Sequence, residues 1–207
     1  MAKNLNPKFL KPYNPEDTET LIYKRWEDSG YFNPDNLPGN RKESFVLVLP
    51  PPNVTGVLHL GHAYEDSLQD SIVRFQRMRG KKTLWIPGTD SAAIATQARV
   101  EKDIQKNEGK SRHDIGRDEL VKRVSEYAKN SESTILNQIR SMGASLDWSR
   151  YAYALDEKRN IAVATAFKRM YDAGLIYRGN RIVNWDPKGQ TTISDDEVVH
   201  EERSGKL

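Results

Sequence analysis

Five apolar residues in a row, Phe45-Val46-Leu47-Val48-Leu49, lead directly into three consecutive prolines, Pro50-Pro51-Pro52. An unbroken apolar run bounded by turn residues predicts a strand buried on both faces, as in parallel sheets. None of the three prolines can donate to a ladder, so the strand ends there. A glycine-containing loop follows. Then comes a helical pattern over about 62–79, with Leu68, Ile72 and Phe75 as its apolar face and Gly80 at its stop. Thr83-Leu84-Trp85-Ile86 predicts a second strand, closed by Pro87-Gly88. Strand, helix, strand in so short a stretch is a βαβ unit, and it fixes the class as α/β.

The rest of the chain reads as helices around a partial sheet. A long amphipathic helix over about 118–142 places Leu120, Val124, Tyr127, Ile135, Ile139 and Met142 on one side, with Gly143 beyond it. A helix over about 157–173 takes Asp156 as its N-cap, turns Val163, Phe167 and Met170 inward and stops at Gly174. Residues 176–183 read as a strand, and the charge-dense stretch 101–119 as a helix end and loop. Residues 1–43 form a polar N-terminal arm punctuated by prolines, with one helix over about 16–29 packed on the main body. Residues 44–207 form the main domain. Only two or three strands are convincing, fewer than a doubly wound sheet usually has, so the chain looks like part of one.

Composition narrows the function. At 207 residues the chain holds one domain, or one with a small appendage. Its 37% apolar and 29% charged residues lean toward disorder, but 4 Trp, 9 Tyr and 5 Phe argue for a packed core. A net charge of +3 excludes a polycation that coats nucleic acid by bulk charge. The absence of cysteine excludes disulfides, thiolate metal sites and cysteine nucleophiles. No apolar run approaches a membrane span of roughly 18 residues, and MAKNLNPKFLKPYNP lacks a signal-peptide core. A cytoplasmic protein with no membrane partner is expected.

The chemistry gathers at His59-Leu60-Gly61-His62, between the first strand and its helix. In an open parallel sheet, ligands bind at that carboxyl edge. A helix start offers unpaired N–H groups and the positive end of a dipole, which suits a phosphate. Gly61 permits close approach to the backbone, Gly56 loosens the loop, and two imidazoles on the first turn can reach one anion. Two other readings stand beside this one: a zinc pair, though structural zinc normally takes four protein ligands, or two surface histidines without a role.

The surrounding blocks carry a family likeness. PPPNVTGVLHLGH over 50–62 resembles the nucleotide-binding signature of class I aminoacyl-tRNA synthetases, and Asn53-Val54-Thr55-Gly56 is the form of its valine-specific branch. PGTDSAAIATQ over 87–97 is similar to that branch's PGTDHAGIATQ. RMRG (77–80), SRHDIGRD (111–118), MGASLDWSR (142–150), GLIYRGNRIVNWDP (174–187) and TTISDDEV (191–198) follow in the family's order. Ser91 and Ala93 depart from the usual His and Gly. NWDPKGQ over 184–190 lacks the cysteines that hold zinc in some members, so no protein-bound metal is expected.

The resemblance implies the first half of a class I Rossmann-like parallel sheet with flanking helices, ending near where an editing insertion would begin. It implies ATP, with Mg2+, as substrate, valine as the amino acid and tRNA(Val) as acceptor. His59 and His62 would be the catalytic donors, with Gly61 completing the ATP-binding set. Asp90 would anchor the amino group, Pro51 and Asn53 would shape the wall, and Gln97 would line the pocket. Asp90 has a second reading as the cap of the next helix, because Asp is a preferred N-cap. Arg74, Arg77, Arg79, Lys81 and Lys82 read either as an exposed helix face or as contacts to tRNA phosphates. The family's Lys-Met-Ser-Lys-Ser loop is absent. Two expectations follow: the amino-terminal part of a ligase that needs a carboxyl-terminal part, in cis or as the other half of a split synthetase, or a truncated binding fragment without catalysis of its own.

Overall fold

The computed structural model describes residues 12–202, 204 and 205, and the chain divides into two compact units, Met1–Ile161 and Ala162–Leu207. In the first unit, β1 (Ser44–Val48) and β2 (Lys82–Ile86) pair in parallel, Ser44 opposite Lys82 and Val48 opposite Ile86. The helix α2 (Leu60–Met78) connects them, completing the expected βαβ unit. Pairing continues past the strands: Leu49 N–H donates to Ile86 O at 3.0 Å, and Asn53 forms a parallel bridge with Asp90. Further on, β3 (Gly88–Thr89) pairs in parallel with β4 (Ala152–Tyr153).

Leu49, Val54, Val73, Trp85, Ile135, Ile139, Ala144 and Leu146 form the buried core, with Phe45 and Leu47 packed against it. Ile135 and Ile139 come from α5 (Arg117–Ser141), whose bounds lie within a residue of the expected helix. The helix α1 (Glu19–Asp28) docks through Tyr23, which donates to Ala144 O and accepts from Trp148 Nε1, both at 2.8 Å. The stretch read as helix end and loop, 101–119, holds the last part of α3 (Ala93–Glu108) and the short α4 (Arg112–Ile115). In α3, Thr96, Val100 and Ile104 are buried, on the helix that packs against α5.

Two expectations in this unit are corrected. Val46 and Val48 are 55% and 60% exposed, so β1 is covered on one face, not both. A run without alternation cannot say which face its neighbours cover. The second correction concerns α2. Leu68, Ile72 and Phe75 are exposed, and with Leu60 and Tyr64 they form one outward stripe. The inward side carries Asp66 and Val73 with Gln69, which accepts the Trp85 Nε1–H at 3.0 Å. Arg74 and Arg77, read as part of an exposed basic face, also turn inward. Arg74 pairs with Asp70 at 2.7 Å, and Arg77 donates to Ser145 Oγ at 3.0 Å. Lys81 and Lys82 are paired with Glu43 and Asp35 at 2.5 and 2.6 Å, while Arg79 lies over the Phe75 ring. An amphipathic pattern marks two faces of a helix; which one meets the core depends on the neighbouring layer.

Asp66, 5% exposed, has one carboxylate oxygen with no hydrogen-bond partner. Burial, then the charges of Glu65 and Asp70, push its carboxyl up to about 6. The folded chain therefore keeps this proton where the unfolded chain has released it. The resulting penalty is absent below about pH 4, grows as pH rises and is complete above the folded value. Asp66→Asn is expected to stabilise the chain by roughly 2 kcal/mol at pH 7.5, or ~4–8 °C in melting temperature. It should do almost nothing at pH 3.5. Melting curves at the two pH values check this, and equal shifts at both would refute it.

In the second unit, no residue of α6 (Glu157–Asp172), a helix within which the boundary falls, is buried. Asp156 does cap it, accepting from Arg159 N–H at 2.9 Å. Val163, Phe167 and Met170, expected inward, are exposed. The strand expected over 176–183 does not form. Instead β5 (Asn184–Asp186) and β6 (Thr191–Ile193) make an antiparallel hairpin. Its turn is closed by Asp186, whose carboxylate accepts the N–H groups of Lys188 and Gly189 at 3.0 and 2.9 Å. A β-prone stretch without a partner stays irregular, whereas Asp-Pro-Lys-Gly supplies turn chemistry that brings its flanks together.

Candidate active site

The loop between β1 and α2 is held at three points. At its start, Asp90 N–H donates to Pro52 O at 2.8 Å and Val54 N–H donates to Asp90 O at 2.9 Å. In its middle, Tyr127 Oη donates to Thr55 O at 2.7 Å. Near its end, Leu58 N–H donates to Gln138 Oε1 at 2.9 Å. Tyr127 and Gln138 both belong to α5, and neither stood out as a site residue in the sequence. Tyr127 counted only as a member of an apolar face, which gives no sign of a hydroxyl bound elsewhere. Gly56 has no positive φ, and a Cβ there would meet open space, so the loop does not depend on glycine at that position.

The loop delivers His59 as the N-cap of α2. Its Nδ1 accepts from Gly61 N–H at 3.1 Å, while His62 Nδ1 accepts from His59 N–H at 3.2 Å. The two rings lie 3.9 Å apart between centroids, tilted by 33°. A nitrogen that accepts carries no proton, so each neutral ring holds its hydrogen on Nε2. Neither Nε2–H has a partner among the described residues. The His62 imidazole is held below its ordinary value by burial first and by the His59 ring second. The site thus presents two neutral N–H donors beside the N-terminal amides of a 19-residue helix. That arrangement suits phosphate oxygens. Gly61 has a further reason to be glycine: a Cβ would sit 2.9 Å from His59 Cε1 and 3.0 Å from its Nδ1.

Asp90 is half-buried, and its carboxylate has no partner among the described residues. It does not cap a helix. The N-cap of α3 is Ala92, in the left-handed region at φ 45°, with no side-chain capping bond. Ser91 is buried and its carbonyl accepts from Thr96 Oγ1 at 2.7 Å. A Cβ added to Gly88 would lie 3.7 Å from Pro51 Cβ, so the proline lies against the strand that leads into Asp90. The structure therefore brings Pro51, Asn53 and Asp90 together at the loop's start and His59, Gly61 and His62 at its end. Gln97 instead donates to Glu101 at 2.7 Å on its own helix. Among the described residues, no group of three or more His, Asp or Glu could hold a metal ion. Among the described residues, no helix is long and apolar enough to cross a membrane.

A parallel β–α–β unit with a long helix starting at its carboxyl edge has the architecture of the nucleotide-binding α/β class. Comparison narrows the class. Residues 21–205 match the family "tRNA synthetases class I (I, L, M and V)", and the chain belongs to that family. It is similar to the Valine–tRNA ligase of Treponema denticola, 52% identical over 197 residues, covering 95% of this chain and 22% of that protein. Its fold matches a crystal structure of the Agrobacterium radiobacter K84 agnB2 LeuRS in ternary complex with tRNA and LeuAMS. The TM-score is 0.73 at 21% identity, over 90% of this chain and 22% of that one. The α/β class and its Rossmann-like parallel pairing stand as expected. The chain spans about a fifth of the length of these relatives.

Proposed function

We propose that this chain is the amino-terminal catalytic part of a cytoplasmic valine–tRNA ligase. In that reading, the valine carboxylate attacks the α-phosphorus of ATP, pyrophosphate leaves with the departing electron pair, and valyl-adenylate forms. The terminal ribose of tRNA(Val) then takes the acyl group and AMP departs. ATP brings Mg2+ with it as part of the substrate. No side-chain nucleophile is required, so the work is positioning and stabilisation of charge on phosphate oxygens. His59 and His62 donate to those oxygens, and Gly61 leaves room for the stacked rings and the nucleotide. Asp90 takes the ammonium group by charge-assisted hydrogen bonding. Pro51 and Asn53 form the adjoining wall, and Gln97 lines the pocket after releasing Glu101.

The observation that carries this reading is the reciprocal capping of His59 and His62, which leaves both Nε2–H groups available at a helix N-terminus. A second observation bears on independence: the outward stripe of α2 and the open face of β1 are apolar and exposed. Faces of that kind are interaction surfaces, which supports a need for further polypeptide from the carboxyl-terminal part of the enzyme. The test is valine-dependent ATP–pyrophosphate exchange, with isoleucine and threonine for comparison. It is run on the chain alone and with the carboxyl-terminal remainder of a relative added. Exchange strongest with valine once the remainder is present is the expected result. Silence in both arms would sink the ligase reading.

A further inference from the structure

Behind Asp90 runs a second set of contacts that the ligase reading does not use. Thr89, 1% exposed, has its hydroxyl 2.5 Å from the Tyr151 hydroxyl, and Tyr151 donates to the Glu132 carboxylate. A tyrosine has one hydroxyl hydrogen. With that hydrogen given to Glu132, Thr89 must be the donor to Tyr151. The direction of the chain is therefore fixed, from Thr89 through Tyr151 to Glu132 on α5. Burial, then the bond to Glu132, raises the Tyr151 phenol above its ordinary value, so it remains protonated and able to donate at neutral pH.

Successive strand residues face opposite sides, so a grip on Thr89 from behind leaves Asp90 to face forward. The backbone here is held on two other sides as well. Asn53 bridges Asp90, and Thr89 pairs with Tyr153, with Ala154 N–H donating to Thr89 O at 3.1 Å. Those bonds fix the strand along its edges; the Thr89 side chain ties it, through Tyr151, to Glu132 on the long helix. We propose that Tyr151, anchored on Glu132, is a positioning residue for the Asp90 carboxylate, setting where the substrate's ammonium group is received. The inference rests on the reading of Asp90 as the ammonium anchor.

The test uses two non-hydrolysable probes by calorimetry on the chain complemented with the carboxyl-terminal remainder of a relative: a valyl sulfamoyl-adenylate, and its isovaleryl counterpart, identical but lacking the amino group. Tyr151→Phe is expected to weaken the valyl probe roughly five- to tenfold, the loss of about one hydrogen bond, and to leave the isovaleryl probe unchanged. Thr89→Val should do the same, and Thr89→Ser, which keeps the hydroxyl, should restore binding. Tyr151→Phe added to Asp90→Asn should produce no further loss, because both act on one contact. Equal weakening of both probes would assign Tyr151 to folding alone and overturn the proposal. So would an unaltered Tyr151→Phe in a chain where Asp90→Asn matters. Failure of the unsubstituted chain to tell the probes apart would instead remove Asp90 as the anchor, and the proposal with it.

Discussion

Replacing His62 by alanine lowers valine-dependent exchange by about 10²–10³-fold, by analogy with removing one donor from an oxyanion hole, while valine affinity hardly moves. The argument is geometric. The Nδ1 of His62 is committed to the His59 N–H, so its Nε2–H is the donor it can offer a phosphate. Because burial and the neighbouring ring hold the imidazole down, it works as a neutral donor at physiological pH. Protonation would put a hydrogen on Nδ1 and break the bond that orients the ring. The rate should therefore decline on the acid side rather than improve with added positive charge. The substitution also leaves the His59 N–H at the helix start without its acceptor. Exchange kinetics across pH, in the complemented enzyme, check both parts. A turnover unchanged by His62→Ala, or a rate that climbs as the ring becomes cationic, refutes the role.

Asp70→Ala is expected to cost about 2–3 kcal/mol, the upper range for stripping partly buried groups of their hydrogen-bond partner, because the Asp70 and Arg74 side chains are 15% and 37% exposed. Asp70 accepts from Arg74 Nε at 2.7 Å, from Ser145 N–H at 3.3 Å and from the Ser145 hydroxyl. Arg74 continues to Gly143 O at 2.7 Å, and Arg77 reaches the Ser145 hydroxyl. Burial already lowers the Arg77 guanidinium from its ordinary value, and its Nε is unpartnered. Without the carboxylate, Arg74 loses its salt-bridge partner and Arg77 loses the negative charge that favours its charged form. Asp70→Asn, which keeps the shape, should lose less. Urea unfolding followed by circular dichroism measures both. A loss under about 1 kcal/mol for Asp70→Ala would mean that the pair is screened like an exposed one.

The sequence was most legible where one physical constraint acted alone. Three prolines after an apolar run mark a strand end whatever surrounds it, and α2 and α5 fall within two residues of their expected bounds. The facing of α2 was not legible, because an amphipathic helix can be covered on either side and the sequence names no neighbour. The 176–183 stretch misled for a related reason: β-propensity without a partner makes no ladder. At the site, the histidines stood out by type and spacing. Their mutual capping did not, since aspartate, asparagine and serine are the residues that usually announce a helix start. Tyr151 and Glu132 had no signal at all, because Tyr151 meets Thr89 and Glu132 only through packing across 62 and 19 residues of sequence.

The grip of α5 on the β1–α2 loop bears on the order in which the chain acquires its shape. Tyr127 and Gln138 reach Thr55 and Leu58 across 72 and 80 residues of sequence. Strand, helix and strand can form from near neighbours as soon as they emerge from the ribosome, but two of the three holds on the loop that aims His59 wait until α5 has been made. Contacts so distant along the chain close slowly. A nascent chain halted near residue 110 would therefore carry the whole histidine motif without the middle and end of the loop that aims it being held.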